Sequence, residues 1–222
     1  EKTFFWSGKY RKDMNVRDTI DTQLNVLISF NPVVPKKHLS TDFVMLGNVI
    51  PSVQLQVLTQ FNKKPKLLAM DTMNLWIDLC PDKLWDVLKK VDICLLNDEE
   101  AIQLTGKKNL SEAANQLLQS GPSVVIIKQG ANGALLTYDD VSVQIPVFPI
   151  KSLIDPTGAG DSFAGGFIGH LVNSGSNDLI EAVITGAAIA SFTVSGFGVE
   201  GLLEANIDSL QNRKNIIREF MK

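Results

Sequence analysis

Four short runs in the middle of the chain are apolar at every position: Phe43–Leu46, Leu67–Met70, Ile93–Leu96 and Val124–Ile127. A strand with one wet face alternates apolar and polar residues, so runs without alternation require cover on both faces. Between them lie segments of helical character: 52–61, 81–89 with Pro81 at its start, about 99 to 106, and 112–119 with Ser111 as N-cap and Gly121 as stop. Two further strands are expected around 134–138 and 141–148, and the last third reads as helix over 160–172, 178–194 and 208–221. This rhythm predicts an α/β domain in layers around a mainly parallel sheet. The front of the chain differs. Lys2–Trp6 reads as a strand, Ser7-Gly8-Lys9 as a turn and 25–30 as a second strand, before Pro32 and Pro35 break the pattern. The expected organisation is a small β element over residues 1–30 and an α/β core over residues 31–222.

Composition narrows the function classes. With 222 residues, 45% hydrophobic and 20% charged, the chain suits one domain with a sizeable core, or one domain plus a small appendage. A formal net charge of -3 gives no reason to expect nucleic acid or an anionic membrane as partner. Cys80 and Cys94 sit in apolar surroundings without metal-ligand spacing, and read as buried thiols in a reducing compartment. No apolar run has the length of a membrane span and no signal peptide is visible, so a cytoplasmic location is expected.

Ligands of open α/β sheets sit beyond the carboxyl ends of the strands, which directs attention to Asp71, Asn97 and Lys128. The most informative stretch comes later: Asp155-Pro156-Thr157-Gly158-Ala159-Gly160-Asp161-Ser162-Phe163-Ala164-Gly165-Gly166-Phe167. Here a small-residue turn runs directly into a helix. Glycine and alanine let backbone approach a ligand, and the helix start presents unpaired N–H groups with partial positive charge. Gly158-Ala159-Gly160 is therefore a candidate anion hole, suited to charge developing on a phosphoryl group. Asp161 beside it could take a proton from an attacking hydroxyl, or could simply stabilise the helix start.

That stretch resembles the C-terminal signature of the ribokinase-type (PfkB-like) carbohydrate kinase family. In that signature a small-residue turn separates a first Asp from the catalytic Asp six positions later, the spacing of Asp155 and Asp161. The resemblance implies a ribokinase-like three-layer fold with a β-lid, ATP as phosphoryl donor, Asp161 as catalytic base, and Gly158, Ala159 and Gly160 as the anion hole. Asn97-Asp98-Glu99-Glu100 resembles the family's Asn-x-x-Glu motif. By that likeness Asn97 and Glu100 organise Mg²⁺, partly through water, together with the phosphates it bridges; alone, the string would be an acidic helix start. Lys128-Gln129-Gly130-Ala131-Asn132-Gly133 resembles the strand-end turn that touches nucleotide phosphates and ribose, which implicates Lys128, Gly130 and Gly133. The helix over 178–194 and the loop Ser195-Gly196-Phe197-Gly198 match the stretch lining the adenine pocket. Asp155, Thr157 and Gly196 thus join the cofactor-side set. K⁺ stays open, because relatives that bind it here use mostly backbone carbonyls. Asp71-Thr72-Met73-Asn74-Leu75-Trp76 loosely resembles an Asp/Asn motif of sugar-acid kinases, at a different spacing. Trp76, Trp85 and Phe61 read as core, and His38 and His170 as bystanders.

Relatives open with a strand, a Gly-Gly pair and an Asn that grip sugar hydroxyls, and nothing here matches those motifs. Thr3–Tyr10 instead resembles the β-lid that normally follows them, so the N-terminal portion of the family domain is expected to be missing. Three readings follow: an ATP-dependent kinase acting on a sugar hydroxyl, a nucleoside kinase of the adenosine-kinase type, or a nucleotide-binding module inactive through truncation. A homodimer is expected, formed through the lid or uncovered sheet edges.

Overall fold

The computed structural model describes residues 1–12, 14, 17–175 and 178–222. Its core is a six-stranded sheet of β3 (Phe43–Leu46), β4 (Leu67–Asp71), β5 (Ile93–Asn97), β6 (Val124–Lys128), β7 (Ala134–Tyr138) and β8 (Val141–Ile145), in that spatial order. The first four strands run parallel, and β6, β7 and β8 pair antiparallel. The fully apolar strands are covered twice, as their sequence requires. Leu68, Met70, Cys94, Leu96, Val125 and Ile127 face one buried cluster, while Ala69, Ile93, Leu95, Val124 and Ile126 face a second.

The first cluster is closed by α1 (Pro51–Leu58), α2 (Asn74–Leu79), α3 (Pro81–Leu88), α4 (Asp98–Thr105) and α5 (Leu110–Leu118). The second is closed mainly by α6 (Ala159–Ser174), α7 (Leu179–Thr193) and α9 (Ile207–Glu219), with the short α8 (Glu200–Leu203) between the last two. Close packing of α6 on α7 depends on glycine. A Cβ on Gly186 would lie 2.7 Å from the Phe163 carbonyl oxygen, and one on Gly166 would lie 3.0 Å from Ile189. Gly165, its sequence neighbour, has open space instead.

The front is an antiparallel hairpin of β1 (Phe5–Tyr10) and β2 (Arg17–Gln23). Four expectations are corrected here and further along the chain. The apolar run 25–30 is a 3-10 helix over Asn25–Ser29 rather than a strand, and the polar segment Arg17–Gln23 supplies the second strand. Its Asp/Thr-rich composition hides it, because a two-stranded ribbon with wet faces needs no apolar alternation. The turn expected at Ser7-Gly8-Lys9 runs on within β1, opposite a register shift that leaves Ile20 of β2 as the extra residue, and a Cβ on Gly8 would collide with the Trp6 ring at 2.3 Å. Further along, α5 is capped by Asn109, which accepts from the Ser111 and Glu112 amides, so Ser111 lies inside the helix. The last strand stops at Ile145, where Pro146 cannot donate to the ladder.

Candidate active site

Strands β4, β5 and β6 end at Asp71, Asn97 and Lys128, and beyond those ends opens a cleft of about 520 Å³. Its walls bring together Asp71, Asn97, Glu100, Lys128, Gly130, Gly133 and the turn Gly158–Asp161. These residues come from four separate stretches of sequence, and the parallel sheet delivers all of them to one edge.

The α6 end is built as its sequence implies. Gly158 is the N-cap residue at φ +79°, in the left-handed region that glycine adopts without strain. The Ala159 amide donates to the Pro156 carbonyl at 3.1 Å, and that of Ser162 to Gly158 at 2.9 Å. Among the described residues, no backbone carbonyl takes the amides of Gly160 and Asp161. Two donors at the positive end of a four-turn helix therefore face the cleft, beside the exposed Asp161 carboxylate. Such an arrangement can hold an oxyanion and receive a proton next to it.

Opposite stands Lys128. Its Nζ is 2.9 Å from Asp71 Oδ2, in a pair whose side chains are 17% and 8% exposed. Burial works against the Lys128 ammonium, but the carboxylates of Asp71, Glu100 and Asp161 outweigh it and hold its pKa above the usual value. A Cβ on Gly160 would lie 3.3 Å from Lys128 Nζ, so the ammonium hangs directly over the start of α6. Sequence reasoning marked Asp71 as a strand-end residue without giving it this partner. Behind the pair, burial pushes the Cys94 thiol far up, which keeps it an inert thiol.

Asn97 and Glu100 form a reciprocal cap on α4. Asn97 Oδ1 accepts from the Glu100 amide and Glu100 Oε2 from the Asn97 amide, each at 2.8 Å. The bland reading of the NDEE string is therefore realised in full. Among the described residues, no three His, Cys, Asp or Glu side chains converge on one point. A protein cage for a metal is thus absent there. Mg²⁺ fits such a donor set, since it keeps several waters and takes one or two carboxylates plus phosphate oxygens.

Gly130 and Gly133 bracket the turn between β6 and β7, at φ +54° and +90°. At Gly133 a Cβ would stand 2.1 Å from the Ile145 carbonyl oxygen, so no other residue fits. One face of α7, Ala187, Ala190, Ser191 and Val194, completes the far end of the cleft. Ser191 is held from outside by Arg213, whose Nη1 donates to its Oγ at 2.7 Å while the guanidinium stacks on Phe148 and Phe192. Arg213 on α9 carried no sequence signal.

Three expected site residues lie outside the cleft walls. Asp155 Oδ1 accepts from the Thr157 amide at 2.9 Å and so shapes the turn, while Thr157 Oγ1 is 3.3 Å from the Tyr10 hydroxyl of the hairpin. Gly196 packs against Gly201, where a Cβ would lie 2.6 Å from the backbone nitrogen. Trp76 is buried, as expected for core, and donates from Nε1 to Asn48 Oδ1. His170 contacts Thr185 between α6 and α7, away from the cleft.

Known proteins share this frame. The chain is 30% identical over 147 residues to a cytidine kinase of Thermococcus kodakarensis, covering 61% of this chain and 49% of that kinase. The chain thus spans about half the length of that relative. Its fold matches a ribokinase of Thermotoga maritima with a TM-score of 0.72 at 23% identity, covering 96% of this chain and 70% of the other. It also matches an Escherichia coli protein solved with ATP and Mg²⁺ (TM-score 0.71, 20% identity, covering 96% and 71%). The architecture is ribokinase-like. A model of pfkB family carbohydrate kinases matches residues 39–206, and the chain belongs to that family.

Proposed function

We propose that the protein is an ATP-dependent kinase that phosphorylates a hydroxyl of a sugar or a nucleoside. The observation that carries this reading is the start of α6, where the amides of Gly160 and Asp161 and the Asp161 carboxylate share one cleft with the Lys128 ammonium. In this reading Asp161 accepts the proton of the attacking hydroxyl, and the Gly158–Gly160 turn stabilises charge spreading over the transferred phosphoryl group. Lys128 and the Gly130–Gly133 turn hold the nucleotide phosphates, and the α7 face with Ser191 takes the base. Asn97 and Glu100 would hold the water shell of Mg²⁺, which would supply positive charge against that of the phosphates. Asn48 and Thr72, following β3 and β4, offer polar groups to the acceptor, and Thr72 Oγ1 is buried with no hydrogen-bond partner.

Both acceptor classes remain in the proposal, since the relatives named above include a cytidine kinase and a ribokinase. The β1–β2 hairpin is read as the lid, and a homodimer as the working form. A coupled ADP-release assay across pentoses, hexoses and nucleosides, with Mg²⁺ and with or without K⁺, tests the assignment. Turnover that rises with one acceptor class and vanishes in Asp161→Asn supports it. Absence of transfer to every acceptor, with ATP still bound, returns the chain to a nucleotide-binding module.

A further inference from the structure

Asp71 sits at the end of β4, and its carbonyl and both carboxylate oxygens are used. Its carbonyl accepts from Gln54 Nε2 at 3.2 Å, Oδ1 accepts from the Thr72 amide at 2.9 Å, and Oδ2 accepts from Lys128 Nζ at 2.9 Å. Its side chain is only 8% exposed, so water adds little freedom to this geometry. A carboxylate with one oxygen fixed by the Thr72 amide, on backbone held by Gln54, is a rigid seat for a flexible four-carbon ammonium chain. The seat decides where the ammonium goes. Lys128 is carried over Gly160, at the second residue of α6, where an anion meets the helix start.

We propose that Asp71 is a positioning residue which holds the Lys128 ammonium at the first turn of α6, so that Lys128 and the α6 amides grip the same phosphate group. The inference rests on the phosphoryl-transfer reading for the identity of that anion. Glu100 and Asp161 are the other charged groups whose fields reach Lys128, from α4 and α6. The hydrogen bond of its Nζ goes to Asp71, at 2.9 Å. Plain charge counting and positioning predict opposite signs. Removing the Asp71 charge leaves the cleft less negative, which by itself tightens anion binding. Removing a seat lets the ammonium swing away and loosens it.

The test is calorimetry on the full chain with three probes: inorganic tripolyphosphate, ATP and adenosine. The proteins are wild type, Asp71→Asn, Lys128→Met and the double variant, each checked for unchanged melting behaviour. Lys128→Met should weaken tripolyphosphate and ATP about tenfold, as expected for loss of a charge-assisted hydrogen bond. Asp71→Asn should weaken both several-fold despite its lost negative charge, add little in the Lys128→Met background, and leave adenosine unmoved. Should Asp71→Asn not fold, Asp71→Glu keeps the charge one methylene away and should show the same weakening. Wild-type or tighter polyphosphate binding by these Asp71 variants overturns the inference, as does full additivity with Lys128→Met. So does failure of the wild type to bind tripolyphosphate. If tripolyphosphate follows the expected pattern while ATP does not bind at all, the nucleotide reading fails and the positioning of Lys128 stands.

Discussion

Asp161 and Asp155 are six residues apart yet occupy different environments. Asp161 is exposed in the cleft, whereas Asp155 closes a turn by accepting the Thr157 amide. A group that moves a proton without gripping the nucleotide has a distinctive loss pattern. Asp161→Asn is expected to lower kcat by about a hundredfold or more while ATP affinity changes within a few-fold. Steady-state kinetics beside calorimetry check this, and near-normal turnover would return Asp161 to a helix-start charge. At Gly133 the constraint is backbone. Its φ of +90° and the 2.1 Å approach of a Cβ to Ile145 make Gly133→Ala destabilising, on the order of 1–3 kcal/mol from strain alone. Urea denaturation measures it. The sequence marked both positions, because a glycine-rich turn is a local signal, ahead of a helix at Asp161 and between two strands at Gly133. It was silent about Lys128 meeting Asp71, since the two are 57 positions apart and only the pairing of β4, β5 and β6 aligns their ends.

At the level of elements, the start of α4 combines a structural and a proposed chemical duty that mutations can separate. Asn97→Ala removes the cap and should cost about 1 kcal/mol of stability. If the same residues hold the Mg²⁺ water shell, Asn97→Ala and Glu100→Gln should both raise the Mg²⁺ concentration required for half-maximal activity. Unchanged Mg²⁺ dependence with lowered stability would leave the cap as their whole role. Between α7 and α9, Glu181 accepts a bidentate pair of hydrogen bonds from Arg218 at 2.6 and 2.7 Å, with Lys214 3.3 Å away. The Arg218 hydrogen bonds, partly opposed by burial, hold the Glu181 carboxyl below its ordinary range. A depressed carboxyl stabilises the fold above its unfolded pKa, about 4.3, and loses that contribution as pH falls through the folded value. Glu181→Gln should therefore narrow the gap in melting temperature between pH 7 and pH 3. An unchanged gap would show that the pair adds nothing to acid sensitivity.

Across the whole molecule, the hairpin is the least self-sufficient part. Two strands alone are marginal in water, and this pair exposes Phe4, Phe5 and Ile20, with Ile28 and Phe30 following. A second copy covering those side chains would supply the missing face. Light scattering should then report twice the 24.3 kDa chain mass, shifting toward one chain in the double variant Phe5→Ser/Ile20→Ser. A wild-type mass of one chain at micromolar concentration would refute the dimer. None of this was readable in Arg17–Gln23, whose polar strand forms only because β1 lies beside it. The core was legible for the opposite reason. Strands apolar at every position, helices between them and a small-residue turn ahead of α6 are patterns within a few neighbouring residues, and they determined an α/β layered domain with a glycine-rich helix start. Only the tertiary structure decided which distant groups meet: Asp71 with Lys128, Arg213 with Ser191, and Tyr10 with Thr157 across 147 positions. Such contacts depend on strand order and helix packing, which are set by burial over the whole chain and leave no local periodicity to read.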